Sequence, residues 1–261
     1  MSYFKQAIRY IYSIYAFTVF LVFMFILFPF VVLASFLGRI RGGNIVYHLC
    51  RFWADGAMFL WGIWHKNIYE APHKPNHPVI FVFNHISYID IPVILASFRK
   101  QPMRILAKAE MAKVPIFGFI YKTATVMVDR SNTDNRVKSV IILKSVLRKN
   151  ISVAIAPEGT FNMTGKPLKD FYDGAFRIAV ETQTPIKPVL FLDTYDRLNY
   201  HSIFSLTPGR SRSVFLEEIS VAGYGPGNVK ELKQKVYDIM EAALTRYRAS
   251  WITEQEDENR K

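Results

Sequence analysis

A histidine and an aspartate stand five residues apart in the segment N-H-I-S-Y-I-D, residues 84–90. This segment follows the apolar run at 79–83, which predicts a strand, so the pair lies where that strand ends. A turn at this point can fold the Asp90 carboxylate back to one ring nitrogen of His85. That contact fixes the tautomer and leaves the other nitrogen free to accept a proton. The pattern therefore predicts a general base, with a structural histidine as the alternative.

Three further segments follow the histidine–aspartate segment in order along the chain. They are Val126–Arg130, Pro157–Thr160 and Pro185–Val189, and Lys108, Glu110, Pro115 and Gly118 precede the first of them. Together with residues 84–90, the series resembles the motifs of the glycerolipid acyltransferase family, which includes the 1-acylglycerol-3-phosphate acyltransferases. The resemblance covers roughly residues 75–195.

The resemblance implies a role for the matched residues. His85 would remove the proton of an acceptor hydroxyl, and Asp90 would orient the ring and stabilise the imidazolium. The hydroxyl oxygen would then attack an acyl thioester. Residues implied in substrate binding are Asn84, Arg130, Glu158, Gly159 and Thr160. Further candidates for the cleft are Lys108, Phe161, Gly174 and Pro188.

Recognition of the acceptor head group follows from the same resemblance. Arg130 would hold a phosphate or another anionic group, while Glu158 and Thr160 would bond the remaining hydroxyls. The chain departs from the family pattern at two positions. Ala124 stands where relatives often have glycine, and Phe161 stands where they often have arginine, a bidentate phosphate donor.

Three roles stay open in the sequence. Lys108 is either solvated or in contact with the phosphates of the acyl donor. Gly174 either begins a helix or lines the cleft. An oxyanion would be stabilised by backbone N–H groups near Gly159 or in the 84–90 turn, and the sequence does not choose between them.

The function implied is transfer of a fatty acyl group from acyl carrier protein or coenzyme A to the free hydroxyl of 1-acylglycerol-3-phosphate, which makes phosphatidic acid. These thioesters are co-substrates, and no other cofactor or metal is implied. One alternative is an O-acyltransferase for a lyso-aminolipid or another lysophospholipid, since Phe161 replaces the phosphate donor. Another is a membrane lipid-binding protein with a dead site.

Composition and charge favour a lipid partner. The 261 residues carry a net charge of +12, with 51% hydrophobic and 15% aromatic content. No zinc-finger, helix-turn-helix or RNA-binding signature accompanies the charge, so anionic lipid is favoured over nucleic acid. Cys50 is the only cysteine, which excludes an intrachain disulfide and a zinc cluster of cysteines.

An N-terminal apolar region predicts membrane attachment. Residues 10–38 carry no charge, and as one helix they would be about 43 Å long, against a hydrocarbon core of about 30 Å. Residues 44–66 form a second, tryptophan-rich segment, and Gly42-Gly43 would form the turn of a helical hairpin. The hairpin either crosses the bilayer or sits in one leaflet, and a buried core hairpin is the alternative. We expect the cytoplasmic (cell inner) membrane, with the catalytic domain facing the cytoplasm.

The rest of the chain alternates predicted strands and helices. The strands lie at 78–83, 103–107, 124–128, 151–156, 186–192 and 213–219, and the helices near 90–98, 132–149, 173–183 and 229–249. This pattern predicts an α/β fold with a mostly parallel sheet flanked by helices, preceded by a membrane-embedded helical hairpin.

Three regions are predicted from this pattern: a membrane-associated segment at 1–67, a catalytic domain at 68–250 and a charged tail at 251–261. The candidate site residues of the catalytic domain follow strands. Because parallel strands place their carboxyl ends at one edge of a sheet, we expect these residues to share one cleft.

Overall fold

The computed structural model describes residues 3–72, 77–99, 101, 103–128 and 133–253, with only the backbone for 133–137. Seven strands form one sheet: β1 (Ile63–Tyr69), β2 (Ile80–Phe83), β3 (Met103–Lys108), β4 (Thr125–Val128), β5 (Ser152–Ile155), β6 (Ile186–Phe191) and β7 (Gly209–Phe215). Their order across the sheet is β1-β7-β6-β2-β5-β3-β4. Neighbouring strands are parallel except β6 and β7. The predicted fold class is confirmed.

Helices connect and cover these strands. They are α1 (Tyr3–Ser35), α2 (Gly43–Leu60), α3 (Asp90–Ser97), α4 (Phe117–Ala124), α5 (Thr133–Leu147), α6 (Gly174–Thr182), α7 (Thr194–Arg197) and α8 (Val229–Arg246). A π-helical turn at Gly38–Gly42 joins α1 to α2, and short 3-10 helices lie at Ala109–Lys113 and Pro226–Asn228.

The sheet has a buried core on each side. Helices α5, α6 and α8 cover one side, which we call the α8 face. Helices α1 to α4 cover the other, which we call the hairpin face. The central strand β2 shows how the sequence builds both: Ile80 and Val82 point into the core of the α8 face, whereas Phe81 and Phe83 point into the core of the hairpin face. A strand buried on both faces is apolar at every position, as this one is.

The N-terminal hairpin forms as a pair of helices, and α1 continues through Pro29. Of the helices in the described ranges, α1 alone is long and apolar enough to span a membrane. Ala16, Leu27 and Val31 on α1 are buried in the core of the hairpin face. Phe17 and Phe25 are 62% and 55% exposed. A large exposed apolar surface of this kind indicates association with a membrane.

The second apolar segment is shorter as a helix than its sequence predicts. Helix α2 ends at Leu60, so the prediction of helix across 61–66 is wrong. Gly62 has a φ of 56°, a left-handed conformation that favours glycine and ends the helix, and β1 then begins at Ile63. Strand β1 pairs with β7 and crosses the boundary predicted at residue 67. The division of the chain into domains stays a prediction.

Arg104 on β3 ties the tip of the hairpin to the sheet. Its side chain is 1% exposed, and Nη2 donates to the carbonyls of Arg39 and Ile40 and to Oδ1 of Asn44, at 3.1, 3.2 and 2.9 Å. Carbonyls at the end of a helical segment lack partners within the helix, and a cation satisfies them. Arg104 therefore fixes where the hairpin sits on the sheet.

The other strands and helices lie close to their predicted positions, with a few differences. Strand β7 begins and ends four residues earlier than the strand predicted at 213–219, and neither α4 nor α7 was predicted. At the C-terminus, Trp251 is 4% exposed, and its indole N–H donates to the Pro167 carbonyl at 3.3 Å. The first residue of the predicted tail therefore packs into the core, and residues 254–261 lie outside the described residues.

Candidate active site

His85 follows β2 directly, and Asp90 is the first residue of α3. Nδ1 of His85 lies 2.7 Å from Oδ2 of Asp90. Because a carboxylate accepts hydrogen bonds, Nδ1 carries the proton and Nε2 keeps a free lone pair. The Asp90 side chain has no exposed surface, whereas that of His85 is 28% exposed. The structure thus brings together the two residues that the sequence singled out, in the geometry of an oriented general base.

Asp90 is held by the backbone of the turn between the two residues. Its Oδ2 accepts the N–H groups of Ile86 and Ser87, each at 3.0 Å, in addition to the histidine Nδ1. Three donors converge on one oxygen, and the carboxylate sits at a helix N-terminus, where negative charge is stabilised. The carboxylate, and through it the imidazole, therefore has a fixed orientation.

Glu158 lies beneath the catalytic turn rather than in the cleft. Its Oε1 accepts the His85 N–H at 2.8 Å, and its Oε2 accepts the Lys169 N–H at 2.9 Å. The residue is completely buried and is not among those that line the cavity described below. The structure therefore makes Glu158 a positioning residue for the His85 backbone, not the contact to acceptor hydroxyls that we predicted.

The environment of Glu158 shifts its pKa. Burial raises the pKa of Glu158 to about 8, although the N–H groups of Lys169 and His85 and the Lys169 ammonium each lower it. The charge of Asp90 raises it further. The burial contribution dominates because the carboxyl group is enclosed without a contacting cation.

Asn84 also has a structural role. Its Nδ2 donates to the Phe191 carbonyl at 3.1 Å, and its Oδ1 accepts the Phe191 N–H at 2.8 Å. Both polar atoms of the Asn84 amide therefore bond the backbone of β6 and hold it beside β2. Asn84 does not line the cavity. This geometry differs from the predicted substrate contact.

Phe161 packs against the catalytic ring. The ring centroids of Phe161 and His85 are 4.5 Å apart with an interplanar angle of 63°, and Tyr88 meets Phe161 edge-on at 4.9 Å. An aromatic ring packed against an imidazole limits the rotation of the imidazole. The aromatic residue that replaces the family's arginine thus supports the base.

His85 opens onto a cavity of about 410 Å³. This volume lies in the range of about 300–1,000 Å³ typical of ligand pockets. The walls are mainly apolar side chains of the hairpin face, among them Phe20, Met24, Leu27, Val31, Cys50, Trp53, Ile94, Ile105, Ile120 and Ala124. Both helices of the N-terminal hairpin therefore form part of the wall, a role that the sequence analysis did not assign to them.

Some of the remaining predicted site residues line the cavity and others do not. Lys108, Gly159 and Thr160 line the cavity together with His85 and Phe161. Two predicted residues lie elsewhere. Gly174 is exposed at the start of α6 with open space around it, and Pro188 lies inside β6, where it pairs with Val82. Arg130 lies outside the described residues.

The backbone N–H groups that could stabilise an oxyanion differ in whether they already have a hydrogen-bond acceptor. The N–H groups of residues 85–87 donate to side-chain carboxylates, and that of Gly159 donates to a carbonyl of its own turn at 3.1 Å. For the N–H groups of Thr160 and Phe161, no acceptor occurs among the residues that the structure describes. Both residues line the cavity beside His85.

Lys169 is a neighbour of the site that the sequence analysis missed. Its Nζ donates to Oγ1 of Thr160 at 2.9 Å, and no carboxylate lies within ion-pair distance in the described ranges. The ammonium group therefore lies next to a residue of the cavity wall. A lysine in a loop eight residues after the Phe161 position carries no pattern that would have identified it.

Comparisons with known proteins show the family of this chain. A family model described as Acyltransferase matches residues 65–192. The 1-acyl-sn-glycerol-3-phosphate acyltransferase of Haemophilus influenzae is 30% identical over 198 residues, which cover 74% of this chain and 79% of that protein. The enzyme of the same name from Cocos nucifera is 34% identical over 159 residues, which cover 60% of this chain and about half, 49%, of that protein.

The fold also matches a solved structure. The 1-acyl-sn-glycerophosphate (LPA) acyltransferase PlsC of Thermotoga maritima superposes with a TM-score of 0.74 at 23% identity, over 94% of this chain and 99% of that one. The chain thus combines this fold with a histidine that a carboxylate orients beside an apolar cavity. This chain belongs to the glycerolipid acyltransferase family.

Proposed function

We propose that this protein transfers a fatty acyl group from an acyl thioester to the free hydroxyl of 1-acylglycerol-3-phosphate, giving phosphatidic acid. The observation that carries the proposal is the open Nε2 of His85, which faces an apolar cavity while Asp90 holds Nδ1 at 2.7 Å. The names of the relatives from Haemophilus influenzae and Cocos nucifera support the choice of acceptor.

His85 moves one proton in each half of the reaction. Its Nε2 takes the proton of the acceptor hydroxyl while that oxygen forms a bond to the thioester carbonyl carbon. The carbonyl becomes an oxyanion, and Asp90 stabilises the imidazolium. When the oxyanion collapses, the carbon–sulfur bond breaks, and the imidazolium returns the proton to the leaving thiolate. No covalent enzyme intermediate is needed.

The groups that stabilise the oxyanion are the N–H groups of Thr160 and Phe161. They lack an acceptor within the described part of the chain and flank the cavity beside His85. Donors of this kind, fixed before the reaction, lower the barrier because they need no reorientation. The apolar cavity next to them holds the acyl chain.

The acyl donor is acyl carrier protein or coenzyme A, since both present the acyl group as a thioester. Lys108 lies at the end of β3 and lines the cavity with an exposed side chain, so it is placed to meet a phosphate of either donor. Catalysis faces the cytoplasm, where these donors occur, and the hairpin attaches the enzyme to the cytoplasmic membrane.

The phosphate of the acceptor binds Lys169 and Arg130. Lys169 carries a cation beside Thr160, close to the place where relatives often carry arginine and this chain carries Phe161. A lysine donates to phosphate as a point charge, so the head group is held less rigidly than by a guanidinium fork. The alternative acceptor, a lyso-aminolipid or another lysophospholipid, is favoured by Phe161, which presents no charge.

A panel of lysolipid acceptors with a labelled acyl donor tests the function. We expect the purified protein to acylate 1-acylglycerol-3-phosphate faster than lysophospholipids with other head groups or lyso-aminolipids. A protein that ignores the phosphate acceptor and gains it only through Phe161→Arg would establish the lyso-aminolipid alternative. Absence of transfer to every acceptor, from either thioester, would establish a lipid-binding protein without activity.

A further inference from the structure

The loop between α7 and β7, residues 198–208, carries two exposed apolar side chains at its tip. Ile203 is 63% exposed and Phe204 is 41% exposed. Serines flank the pair on both sides, at positions 202 and 205. Two adjacent large apolar residues on an exposed loop cost free energy in water, which indicates contact with another phase or molecule.

Hydrogen bonds within the loop hold this tip in place. Oγ of Ser202 accepts the Phe204 N–H at 3.1 Å, and Oγ of Ser205 donates to the Ser202 carbonyl at 2.6 Å. The Asn199 N–H donates to Oγ of Ser205 at 3.1 Å. These bonds satisfy the turn internally, so the two apolar side chains are presented outward by an ordered backbone.

The tip is continuous with the exposed surface of α1. The rings of Phe204 and Tyr10 have centroids 5.2 Å apart. Tyr10, Ile14 and Phe17 lie on one side of α1 at positions i, i+4 and i+7, and they are 44%, 59% and 62% exposed. The loop therefore extends the apolar surface of α1 onto the catalytic part of the chain.

We propose that the loop at 198–208 inserts Ile203 and Phe204 into the same membrane leaflet that receives α1. The occupant is a lipid bilayer, because the tip continues the surface of α1 and is bordered by two arginines. Arg197 holds the base of the loop through the Pro208 carbonyl. Arg210 lies 3.7 Å from Asp193 but keeps 68% of its side chain exposed, where it suits anionic head groups. This inference rests on the membrane association proposed above.

Membrane insertion of the loop bears directly on the active site. Oγ of Ser87 donates to the Leu198 carbonyl, and Ser87 forms a bridge with Asn199. Ser87 also donates its N–H to Asp90, which orients His85. The loop thus connects the membrane surface to the catalytic turn. Its insertion sets the distance between the His85 ring and the membrane surface that holds the lipid acceptor.

Site-specific labelling tests the depth of the loop. The full-length variants Ile203→Cys and Ile141→Cys each carry one reactive thiol, because the native Cys50 is buried. Ile141 is a matched control: it is an isoleucine 59% exposed, on α5, which packs on the opposite face of the sheet. Each variant is labelled with bimane and bound to vesicles of phosphatidylcholine and phosphatidylglycerol with or without brominated acyl chains.

We expect brominated lipid to quench the label at position 203 at least about twofold more than the label at position 141. Flotation of the vesicles is measured in parallel, so that the membrane association of the hairpin is scored separately. Labelled proteins that float with vesicles but show equal quenching at both positions would overturn the insertion of the loop. Proteins that do not float would overturn both the insertion and the membrane association.

A kinetic arm tests the consequence for catalysis. Ile203→Asp combined with Phe204→Asp should lower the rate with an acceptor presented in vesicles several-fold, while the rate with a water-soluble short-chain acceptor stays unchanged. Ile141→Asp should change neither rate. Equal rates of the wild type and the double variant on vesicles would contradict the proposed link between the loop and the site.

Discussion

The two faces of the sheet are both buried, yet they are covered by different kinds of helix. On the α8 face, Leu232, Val236 and Met240 of α8 are buried, while Lys230 and Lys235 of the same helix are exposed. On the hairpin face, α1 is apolar on all sides and exposes large side chains. The α8 face is therefore built as in a water-soluble protein, whereas the hairpin face is built to meet lipid.

The difference shows how one sheet serves a lipid substrate. The catalytic turn lies at the end of β2, where the side chains alternate between the two faces. The cavity extends from His85 mainly among side chains of the hairpin face. The helices that carry the exposed apolar surface therefore also form much of the cavity wall, whereas no described residue of α5, α6 or α8 lines the cavity.

The largest effect is expected from the catalytic turn itself. His85→Ala should lower turnover by about 10²–10⁴-fold, because no other group in the described site is placed to take the proton. Asp90→Asn should come close to this loss, since the ring then loses its tautomer and orientation. The measurement is the rate of acyl transfer by purified protein, together with the melting temperature, which should change little for His85→Ala.

A matched control for this prediction lies before β2, at the other end of the strand. His77 also pairs with a carboxylate, Glu218, at 3.0 Å. His77→Ala should retain wild-type turnover because this pair faces away from the cavity. Near-normal turnover of the His85 variant, or equal losses in both histidine variants, would contradict a general base at position 85.

The next predictions compare the two faces by the unfolding free energy and by the preference for acyl-chain length. Leu232→Ala on the α8 face should cost about 2–5 kcal/mol of unfolding free energy, since the side chain is fully buried, and should leave acyl-chain preference unchanged. Denaturant unfolding and donor competition measure the two quantities. A changed preference for acyl-chain length in Leu232→Ala would contradict the claim that only the hairpin face selects the acyl chain.

Its counterpart on the hairpin face is Ile120→Trp. Ile120 is partly buried and lines the cavity, so the larger ring occupies space that an acyl chain uses. We expect kcat/KM for a long-chain donor to fall at least about tenfold relative to a short-chain donor. The unfolding free energy should change less than in Leu232→Ala. Equal losses for both donors would exclude this cavity as the acyl site.

The same division explains what the sequence could predict. His85 and Asp90 were identified because their contact is local and depends on a single turn. Strand β2 was identified because burial on both faces makes every residue apolar, and β5 because it is apolar at every position after Ser152. Glu158 was identified as important, but its contacts were not predicted, since its side chain accepts the His85 N–H, 73 residues away, as well as the Lys169 N–H in its own loop.

The parts that were missed depend on distant partners. Strand β1 contains His65, Lys66 and Asn67, and its pairing with β7 joins residues about 146 positions apart. Helices of the hairpin were predicted from their apolar composition. Composition alone does not distinguish a side that faces lipid from a side that faces a cavity, so the wall of the acyl site was not predicted. A chain shortened to begin at Asn67 would lose part of β1 and the share of the hairpin-face core that α1 and α2 supply, so it would not test membrane attachment alone.

A moderate effect on acceptor binding is expected from Lys169, the lysine proposed to bind the acceptor phosphate. Lys169→Ala should raise the KM for 1-acylglycerol-3-phosphate by about tenfold with little change in kcat, as loss of one charged hydrogen bond predicts. Lys169→Arg should keep most of the affinity, and Phe161→Arg should restore it to Lys169→Ala. Lys166→Ala, an exposed lysine of the same loop, is the control. An unchanged KM in Lys169→Ala would remove this residue from the acceptor site.

The smallest effect concerns the pH dependence of stability beneath the catalytic turn. Burial raises the pKa of Glu158 to about 8, whereas glutamate in an unfolded chain titrates near ~4.3. Between these values the unfolded chain has released the proton and the folded chain retains it. The contribution of Glu158 to the unfolding free energy therefore falls as pH rises from ~4.3 to about 8 and is constant above that. Glu158→Gln does not titrate, so the melting temperature of the wild type minus that of the variant should decrease between pH 6 and pH 9. If the N–H groups of His85 and Lys169, rather than burial, set the charge of the carboxyl group, its pKa would be lowered instead, and the difference would stay constant between pH 6 and pH 9.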